Sequence, residues 1–206
     1  DTARENARAM RNNFLPNRSF RGLAYPWMSA FTGNEQSGFQ ESSEVEDIED
    51  HLQGDVAFGL LQHYRLTKDA KWLRDAGFPV IDGLAQFWVS RVDPRPDGTY
   101  SIRGTLPPDE YASPNSTDCV FTNAVAKLNL LAAYHLASVV GRRPNVQYLT
   151  VANGLRILYD SKADYHPQCE GYVRGSMIKQ ADVGMLGYPL RINMSKSTLL
   201  NDLKIY

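Results

Sequence analysis

The sequence feature that most constrains the fold is an alternation of apolar helical segments with two kinds of connection. Some connections are short turns, and others are long loops rich in aromatic residues. No two segments form a convincing strand pair. Long loops with apolar content inside a compact domain are usually functional. The alternation favours an all-α fold: a layered helical barrel of inner and outer helices, with the long loops on one rim.

Hydrophobic spacing locates the helices. The longest covers residues 120–140 and carries few charges. A helix over residues 50–66 has apolar side chains on two sides, so both of its faces should be covered. The other predicted helices cover residues 2–14, 67–77, 79–92 and 146–160, and a last region that begins near 177, is interrupted at Pro189 and resumes near Ser195.

Length and charge narrow the function classes. The chain has 206 residues, enough for one domain with a substantial core, and we expect residues 1–206 to form a single domain. Its net charge of −1 gives no general attraction to nucleic acid or to an anionic membrane. No apolar run reaches the roughly 18 residues that a membrane-spanning helix needs, so no membrane span is expected.

Cysteine and asparagine patterns bear on the cellular compartment. Cys119 and Cys169 could pair, but their spacing does not show it, and they lack the Cys-x-x-Cys spacing typical of zinc sites. Two small, unpaired, buried side chains are the favoured interpretation. Asn-x-Ser/Thr triplets at Asn17, Asn115 and Asn193 lean toward a secreted, vacuolar or lysosomal glycoprotein.

The candidate for acid catalysis is Glu110, which follows Pro107-Pro108-Asp109. The two prolines cannot lie inside the following helix, and they stiffen the approach to Glu110. A carboxyl group on such a loop could act as a general acid, although these residues alone favour a solvated acidic turn. Upstream, the glycine-punctuated loop of residues 21–38 carries Trp27 and other aromatic side chains, which must line either a core or a ligand pocket.

A series of short motifs, taken together and in order, resembles glycoside hydrolase family 65. The motifs are Tyr25-Pro26-Trp27-Met28-Ser29, Thr32-Gly33-Asn34-Glu35, His51-Leu52-Gln53-Gly54-Asp55-Val56-Ala57, Pro108-Asp109-Glu110-Tyr111, Phe121-Thr122-Asn123, Lys179-Gln180-Ala181-Asp182-Val183 and Gly187-Tyr188-Pro189. Each motif alone is weak, but their order is specific. The family contains acid trehalases, protein-glucosylgalactosylhydroxylysine glucosidases, and maltose, trehalose and kojibiose phosphorylases.

The resemblance implies part of an (α/α)6 barrel that cleaves an α-glucoside with inversion of configuration, and it implies no metal or other cofactor. It implies that Glu110 is the general acid. The implied substrate-binding residues are Trp27 in the wall of the glucose subsite, Lys179 and Gln180 on the sugar hydroxyls, and His51 and Asp55 beside them. The expected substrate is trehalose, another α-glucoside disaccharide or a glucosyl-galactosyl side chain.

Physical chemistry adds two expectations about Glu110. A general acid must stay protonated near working pH, so burial beside aromatic rings should raise the pKa of Glu110. The ammonium of Lys179 would oppose that rise. Lys179 should therefore point at the sugar and not at the acid.

Departures from the family pattern keep alternatives open. Ala112 stands where many members have His, although some fungal acid trehalases look similar here. The family's Trp-Asp-Thr segment would precede Asp1, and the hydrolases' second glutamate, the base, would follow Tyr206. We therefore expect an incomplete part of the barrel, inactive in isolation, which other segments or chains complete. The alternatives are a phosphorylase, in which phosphate replaces water, and a non-catalytic binding or scaffold protein.

Overall fold

The computed structural model describes residues 20–27, 31 and 48–206, and within them the chain is mostly helical. The α-helices are α1 (His51–Thr67), α2 (Ala70–Trp72), α3 (Phe78–Arg91), α4 (Val120–Val139), α5 (Val146–Gly154) and α6 (Lys196–Ile205), with a π-helical turn at Leu73–Gly77 and a 3-10 turn at Asp182–Leu186. The helix predicted over residues 2–14 and the motif at residues 32–35 lie outside the described residues. No helix in the described part combines the length and apolarity that crossing a membrane requires.

Local sequence signals explain where several helices begin and end. The carboxylate of Asp69 accepts the amide of Trp72 at 2.9 Å and so caps α2. Lys68 follows α1 with φ 55, in the left-handed region that commonly ends helices. The hydroxyl of Ser195 accepts the amide of Thr198 at 3.0 Å and caps α6. The start predicted near Ser195 is therefore confirmed.

The centre of the fold is α4, which packs against α1, α3 and α5. Most of its residues are buried, including Ala124, Ala126 and Ala133. Small residues let the helices approach closely: a Cβ atom on Gly54 of α1 would overlap a methyl carbon of Val125. The helix predicted over residues 120–140 is confirmed, because its apolar side chains are covered by three neighbouring helices.

Two short strand pairs show that the expectation of no paired strands was wrong. β1 (Asp93–Pro94) pairs antiparallel with β2 (Tyr100–Ser101), and β3 (Arg103–Thr105) pairs with β4 (Ser116–Thr117). Each strand has two or three residues, too few to show an alternating pattern in the sequence. The second pair matters for function because it closes the base of the loop that carries Glu110.

The carboxyl-terminal part is less helical than predicted. The helix predicted over 146–160 ends at Gly154. After it, the amide of Arg156 donates a hydrogen bond to the carbonyl of Tyr100 at 3.3 Å. The helical region predicted from residue 177 contains only the 3-10 turn before α6 begins. Lys179 and Gln180 therefore lie in an irregular segment and not at a helix start.

A disulfide bond joins Cys119 to Cys169 across 50 residues of sequence. Both cysteines are buried. The favoured interpretation of two unpaired side chains was wrong, because pairing depends on the fold and not on spacing in the sequence. The bond ties the start of α4 to the irregular segment that precedes Lys179.

Candidate active site

The acid loop (residues 106–115) connects β3 to β4 and carries Glu110. Its entrance is fixed to the segment that precedes α1. The hydroxyl of Thr105 donates to the carbonyl of Ile48 at 2.9 Å, and the amide of Leu106 donates to the same oxygen at 3.1 Å. These bonds, with the β3–β4 pair, hold the acid loop beside the amino-terminal end of α1.

Glu110 is in direct contact with two other predicted site residues. The ammonium of Lys179 donates to Oε2 of Glu110 at 2.6 Å, and Nε2 of Gln180 donates to Oε1 at 2.9 Å. The amide of Glu110 donates to Oε1 of Gln180 at 3.2 Å. The side chain of Glu110 is 42% exposed. The carboxyl group is thus accessible from solvent while two neighbours bond both of its oxygens.

The charge environment of Glu110 differs from the expectation. The hydrogen bond from Lys179 lowers the pKa of Glu110 below its ordinary value, and this effect outweighs slight desolvation, which acts the other way. The same bond raises the pKa of Lys179. The expected rise in the pKa of Glu110 and the expected orientation of Lys179 away from it were both wrong for this structure. Glu110 is exposed, so a charge-assisted hydrogen bond decides its pKa.

The preceding carboxylate, Asp109, has a place in the site that the sequence did not indicate. Asp109 is 1% exposed. Its Oδ1 accepts three backbone amides, from Lys179 at 2.7 Å, from Tyr111 at 3.2 Å and from Gln180 at 3.3 Å. Its Oδ2 accepts Nε2 of Gln168 at 3.0 Å. Backbone partners leave no sequence signal, because every residue except proline supplies a backbone amide.

The other predicted residues, Trp27, His51 and Asp55, form a second cluster at the start of α1. Nδ1 of His51 lies 2.7 Å from Oδ2 of Asp55, and Nε2 lies 3.1 Å from Oε2 of Glu49. Burial lowers the pKa of His51, but the hydrogen bonds to Asp55 and Glu49 together outweigh it and raise the pKa to about 9. The Trp27 and His51 rings meet edge to face, with centroids 5.6 Å apart. A buried imidazolium therefore supports the indole.

The loop that presents Trp27 is fastened to α1 by Gln53, a residue to which sequence reasoning gave no role. Oε1 of Gln53 accepts the amide of Tyr25 at 2.6 Å, and Nε2 donates to the carbonyl of Tyr25 at 3.0 Å. The side chain of Gln53 is fully buried. These two bonds fix the backbone just before Trp27, whose indole contacts His51.

The two clusters lie on the same side of the molecule. Ile48, which receives the acid loop, is followed directly by Glu49, which contacts His51. The charge of Glu49 also contributes to the raised pKa of Lys179, after the larger effect of Glu110. Residues 20–27, 31 and 48–206 contain no group of three or more His, Cys, Asp or Glu side chains that could hold a metal ion.

Proteins of known family resemble this chain over most of its length. The family model for the glycosyl hydrolase family 65 central catalytic domain matches residues 1–174. The chain is 38% identical over 192 residues to a protein-glucosylgalactosylhydroxylysine glucosidase of Dictyostelium discoideum, covering 91% of this chain and 26% of that protein. It is 35% identical over 200 residues to a kojibiose hydrolase of Mucilaginibacter mallensis, covering 97% of this chain and 29% of that protein.

One solved structure shares the fold of this chain. "Putative kojibiose phosphorylase from human microbiome" superposes with a TM-score of 0.65 and 17% sequence identity, covering 82% of this chain and 24% of that chain. At 17% sequence identity, this similarity shows only that the two proteins share a fold. The chain spans about a quarter of the length of this structure and of the curated relatives that it matches.

Proposed function

Because this chain belongs to glycosyl hydrolase family 65, we propose that the protein containing it is a glycosidase that releases glucose from an α-glucoside with inversion, with Glu110 as general acid. The observation that carries the proposal is the contact of Glu110 with Lys179 and Gln180. An exposed carboxyl group lies between two donors that can bind sugar hydroxyls. Glycoside cleavage needs a carboxylic acid that protonates the leaving oxygen beside a site that holds the sugar.

Acid catalysis requires Glu110 to change partners when the sugar binds. The Lys179 ammonium favours the ionised carboxylate, whereas a general acid must deliver a proton. In the proposed complex, Lys179 and Gln180 bond to sugar hydroxyls and leave Glu110. Loss of these bonds, together with desolvation by the sugar ring, raises the pKa of Glu110 so that it binds a proton.

The bond-breaking step then follows from this protonation. Glu110 donates its proton to the glycosidic oxygen as the bond from that oxygen to the anomeric carbon breaks. Water attacks the opposite face of the sugar, and a second carboxyl group takes the proton of that water. In inverting enzymes the two carboxyl groups are roughly 6.5–9.5 Å apart. We assign the base to no residue of this chain.

The second cluster supplies a wall for the glucose subsite. The indole of Trp27 packs on the apolar face of the sugar ring. His51, held between Asp55 and Glu49, keeps the indole in place through the edge-to-face contact. In this proposal His51 and Asp55 support the subsite and do not take part in the bond-breaking step.

The substrate class is proposed from the names of the relatives. One relative is named for glucosylgalactosylhydroxylysine and another for kojibiose. We therefore propose a glucosyl-galactosyl side chain or a related α-glucoside disaccharide as the substrate, in preference to trehalose.

The test is glucose release by the full-length protein that contains this chain. Glucosyl-galactose, kojibiose and trehalose are each incubated with wild type and with Glu110→Gln, with and without phosphate. We expect phosphate-independent release that the variant loses. Asp75→Asn is the matched control, because Asp75 is also an exposed carboxylate paired with a lysine, Lys71, at 2.8 Å, but lies on the π-helical turn.

Two other outcomes would select the alternatives. Release of glucose 1-phosphate only when phosphate is present identifies a phosphorylase, a class that the solved fold relative's name includes. No release from any of the sugars by the folded protein identifies a non-catalytic binding or scaffold protein.

We also propose that the helices are part of an (α/α)6 barrel and that residues 1–206 form a single but incomplete domain. The fold likeness at a TM-score of 0.65 supports the barrel. Other segments or chains would complete it, and the isolated chain would be inactive.

We also propose that the protein containing this chain is a glycoprotein, on two further observations. Disulfide bonds persist in oxidising compartments, and Cys119 is bonded to Cys169. Asn115 and Asn193, which begin two of the glycosylation triplets, are both exposed. A fall in mass after treatment with a peptide-N-glycosidase would identify the glycans, and an unchanged mass would exclude them.

A further inference from the structure

In and beside the acid loop lie three buried polar side chains that the proposed chemistry does not use: Asp109 within the loop, and Gln168 and Asp182 next to it, exposed by 1%, 4% and 1%. We propose that Asp109 is the positioning residue of the acid, and that Gln168 anchors it. Asp109 fixes the peptide of Glu110 against the Lys179–Gln180 segment. The inference rests on the proposed function only in taking Glu110 as the acid.

The bonds of Asp109 connect two distant parts of the chain. Oδ1 accepts the amides of Lys179 and Gln180, which are 70 and 71 residues further along the sequence. The same oxygen accepts the amide of Tyr111, inside the acid loop. A buried carboxylate is stable only when such donors satisfy it. A shift of either segment would break these bonds, so Asp109 fixes the two segments relative to each other.

Gln168 holds the second oxygen of Asp109 and is itself held firmly. Its Nε2 donates to Oδ2 of Asp109 and to Oδ1 of Asp182, each at 3.0 Å. Its carbonyl accepts the amide of Val120 at 2.8 Å. The next residue, Cys169, is bonded to Cys119. Gln168 thereby links Asp109 to the start of α4, the central helix of the fold.

Asp182 completes the group. Burial is the main cause that raises the pKa of Asp182 to about 6, and the charge of Asp109 adds to it. Oδ2 of Asp182 is buried with no hydrogen-bond partner in the structure. With Asp182 able to take up a proton more readily than an ordinary aspartate, the single amide of Gln168 can serve both acids without two full negative charges facing each other.

Asp109 acts through its neighbours and not on the substrate. Its donors are backbone amides and the Gln168 amide, and its side chain is buried, whereas Glu110 is exposed. Proton transfer needs the acid within hydrogen-bonding reach of the leaving oxygen. Because a misplacement of about 1 Å can reduce the rate about 100-fold, loss of Asp109 should impair the step that needs the proton.

The first test compares leaving groups in the full-length protein that contains this chain. Cleavage of a disaccharide needs the proton of the acid, whereas cleavage of α-glucosyl fluoride needs it far less. For Asp109→Ala we expect kcat on the disaccharide to fall about 100-fold, and kcat on the fluoride to fall at least tenfold less. Asp109→Asn, which keeps one oxygen, should lie between wild type and Asp109→Ala, and it serves if the alanine variant does not fold.

Asp82→Ala is the matched control. Asp82 is likewise a hydrogen-bonded aspartate, which accepts from the side chains of Tyr148 at 2.9 Å and Gln86 at 2.9 Å, but it lies on α3. Its loss should leave the ratio of the two rates unchanged. Equal losses on both substrates in the Asp109 variants would overturn the inference, since a merely structural role affects both alike.

A second measurement needs no activity. Amide hydrogen exchange at residues 179 and 180 should be about tenfold faster in Asp109→Ala and unchanged in Asp82→Ala. Unchanged exchange in Asp109→Ala overturns the positioning role. If the wild type cleaves neither substrate, the proposed function fails, and faster exchange would then support the link that Asp109 makes between the two segments.

Discussion

Nζ of Lys179 lies 2.6 Å from Oε2 of Glu110, although 69 residues separate the two in the chain. A cation at this distance stabilises the carboxylate and opposes the protonation that an acid catalyst needs. The protonation state of Glu110 therefore depends on whether the ammonium of Lys179 is hydrogen-bonded to it. A sugar that binds Lys179 would also prepare Glu110 to hold its proton.

Lys179→Met should raise the pKa of Glu110. The hydrogen bond from Lys179 is the main cause that lowers the folded-state pKa, so removing the ammonium moves the pKa back toward the ordinary glutamate value of 4.5. A carbon-13 NMR titration of labelled glutamate, with Glu110→Gln for assignment, measures the change. Lys71→Met is the matched control. The hydrogen bond from Lys71 is the main cause that lowers the pKa of Asp75, so this variant should raise the pKa of Asp75 and leave that of Glu110 unchanged. An unmoved Glu110 inflection would contradict the ion pair.

His51 should make the stability depend on pH. Its folded-state pKa of about 9 lies above the unfolded value of 6.5. The stabilisation is therefore fully present below pH 6.5 and is lost as pH rises through about 9. The free energy of unfolding should fall by up to about 3 kcal/mol over this range.

Urea unfolding at pH 6.5 and pH 9 measures that effect. His51→Gln should reduce the pH dependence, whereas His135→Gln, at an exposed position on α4, should retain it. Equal pH dependence in wild type and His51→Gln would show that the imidazolium is not the cause.

The Cys119–Cys169 bond should stabilise the fold by about 2–4 kcal/mol, because it closes a 50-residue loop in the unfolded chain. We expect the double variant Cys119→Ala/Cys169→Ala to unfold at lower urea concentration than the oxidised wild type. Reduction should lower the wild-type midpoint and leave the variant unchanged. Two free thiols in the denatured, unreduced wild type would rule the bond out.

The sequence predicted helices well where one segment carried its own signal. The apolar run at residues 120–140 predicted the start of α4 correctly and its end to within one residue, and Ser195 marked the start of α6. The strands were missed because Arg103 and Thr117 pair across the acid loop, and a two-residue strand has no periodicity of its own. The same reason applies to the disulfide bond, whose partners meet only after folding.

The site was predicted in part. Family motifs selected Glu110, Lys179 and Gln180, and the structure places these side chains in contact. The sign of the pKa change at Glu110 was not predictable, because it depends on the direction of one lysine side chain. Asp109 and Gln168 were missed since their partners are backbone amides and buried polar groups that only the fold brings together.

Gln53→Leu should loosen the loop that carries Trp27. The substitution keeps the side-chain size and removes both hydrogen bonds to the backbone of Tyr25. Loss of these buried bonds should lower the free energy of unfolding by about 1–3 kcal/mol. It should also weaken glucose binding about tenfold, roughly 1.4 kcal/mol, because the indole is no longer held as a fixed wall.

Glucose titrations of the full-length protein, followed by calorimetry, measure this affinity without requiring hydrolysis. Gln62→Leu is the matched control, since it makes the same change on the same helix at a partly exposed position. Its affinity should equal that of wild type. Should Gln53→Leu bind glucose as tightly as Gln62→Leu while being less stable, Gln53 would stabilise the fold alone, and Trp27 would not depend on it for its place in the subsite.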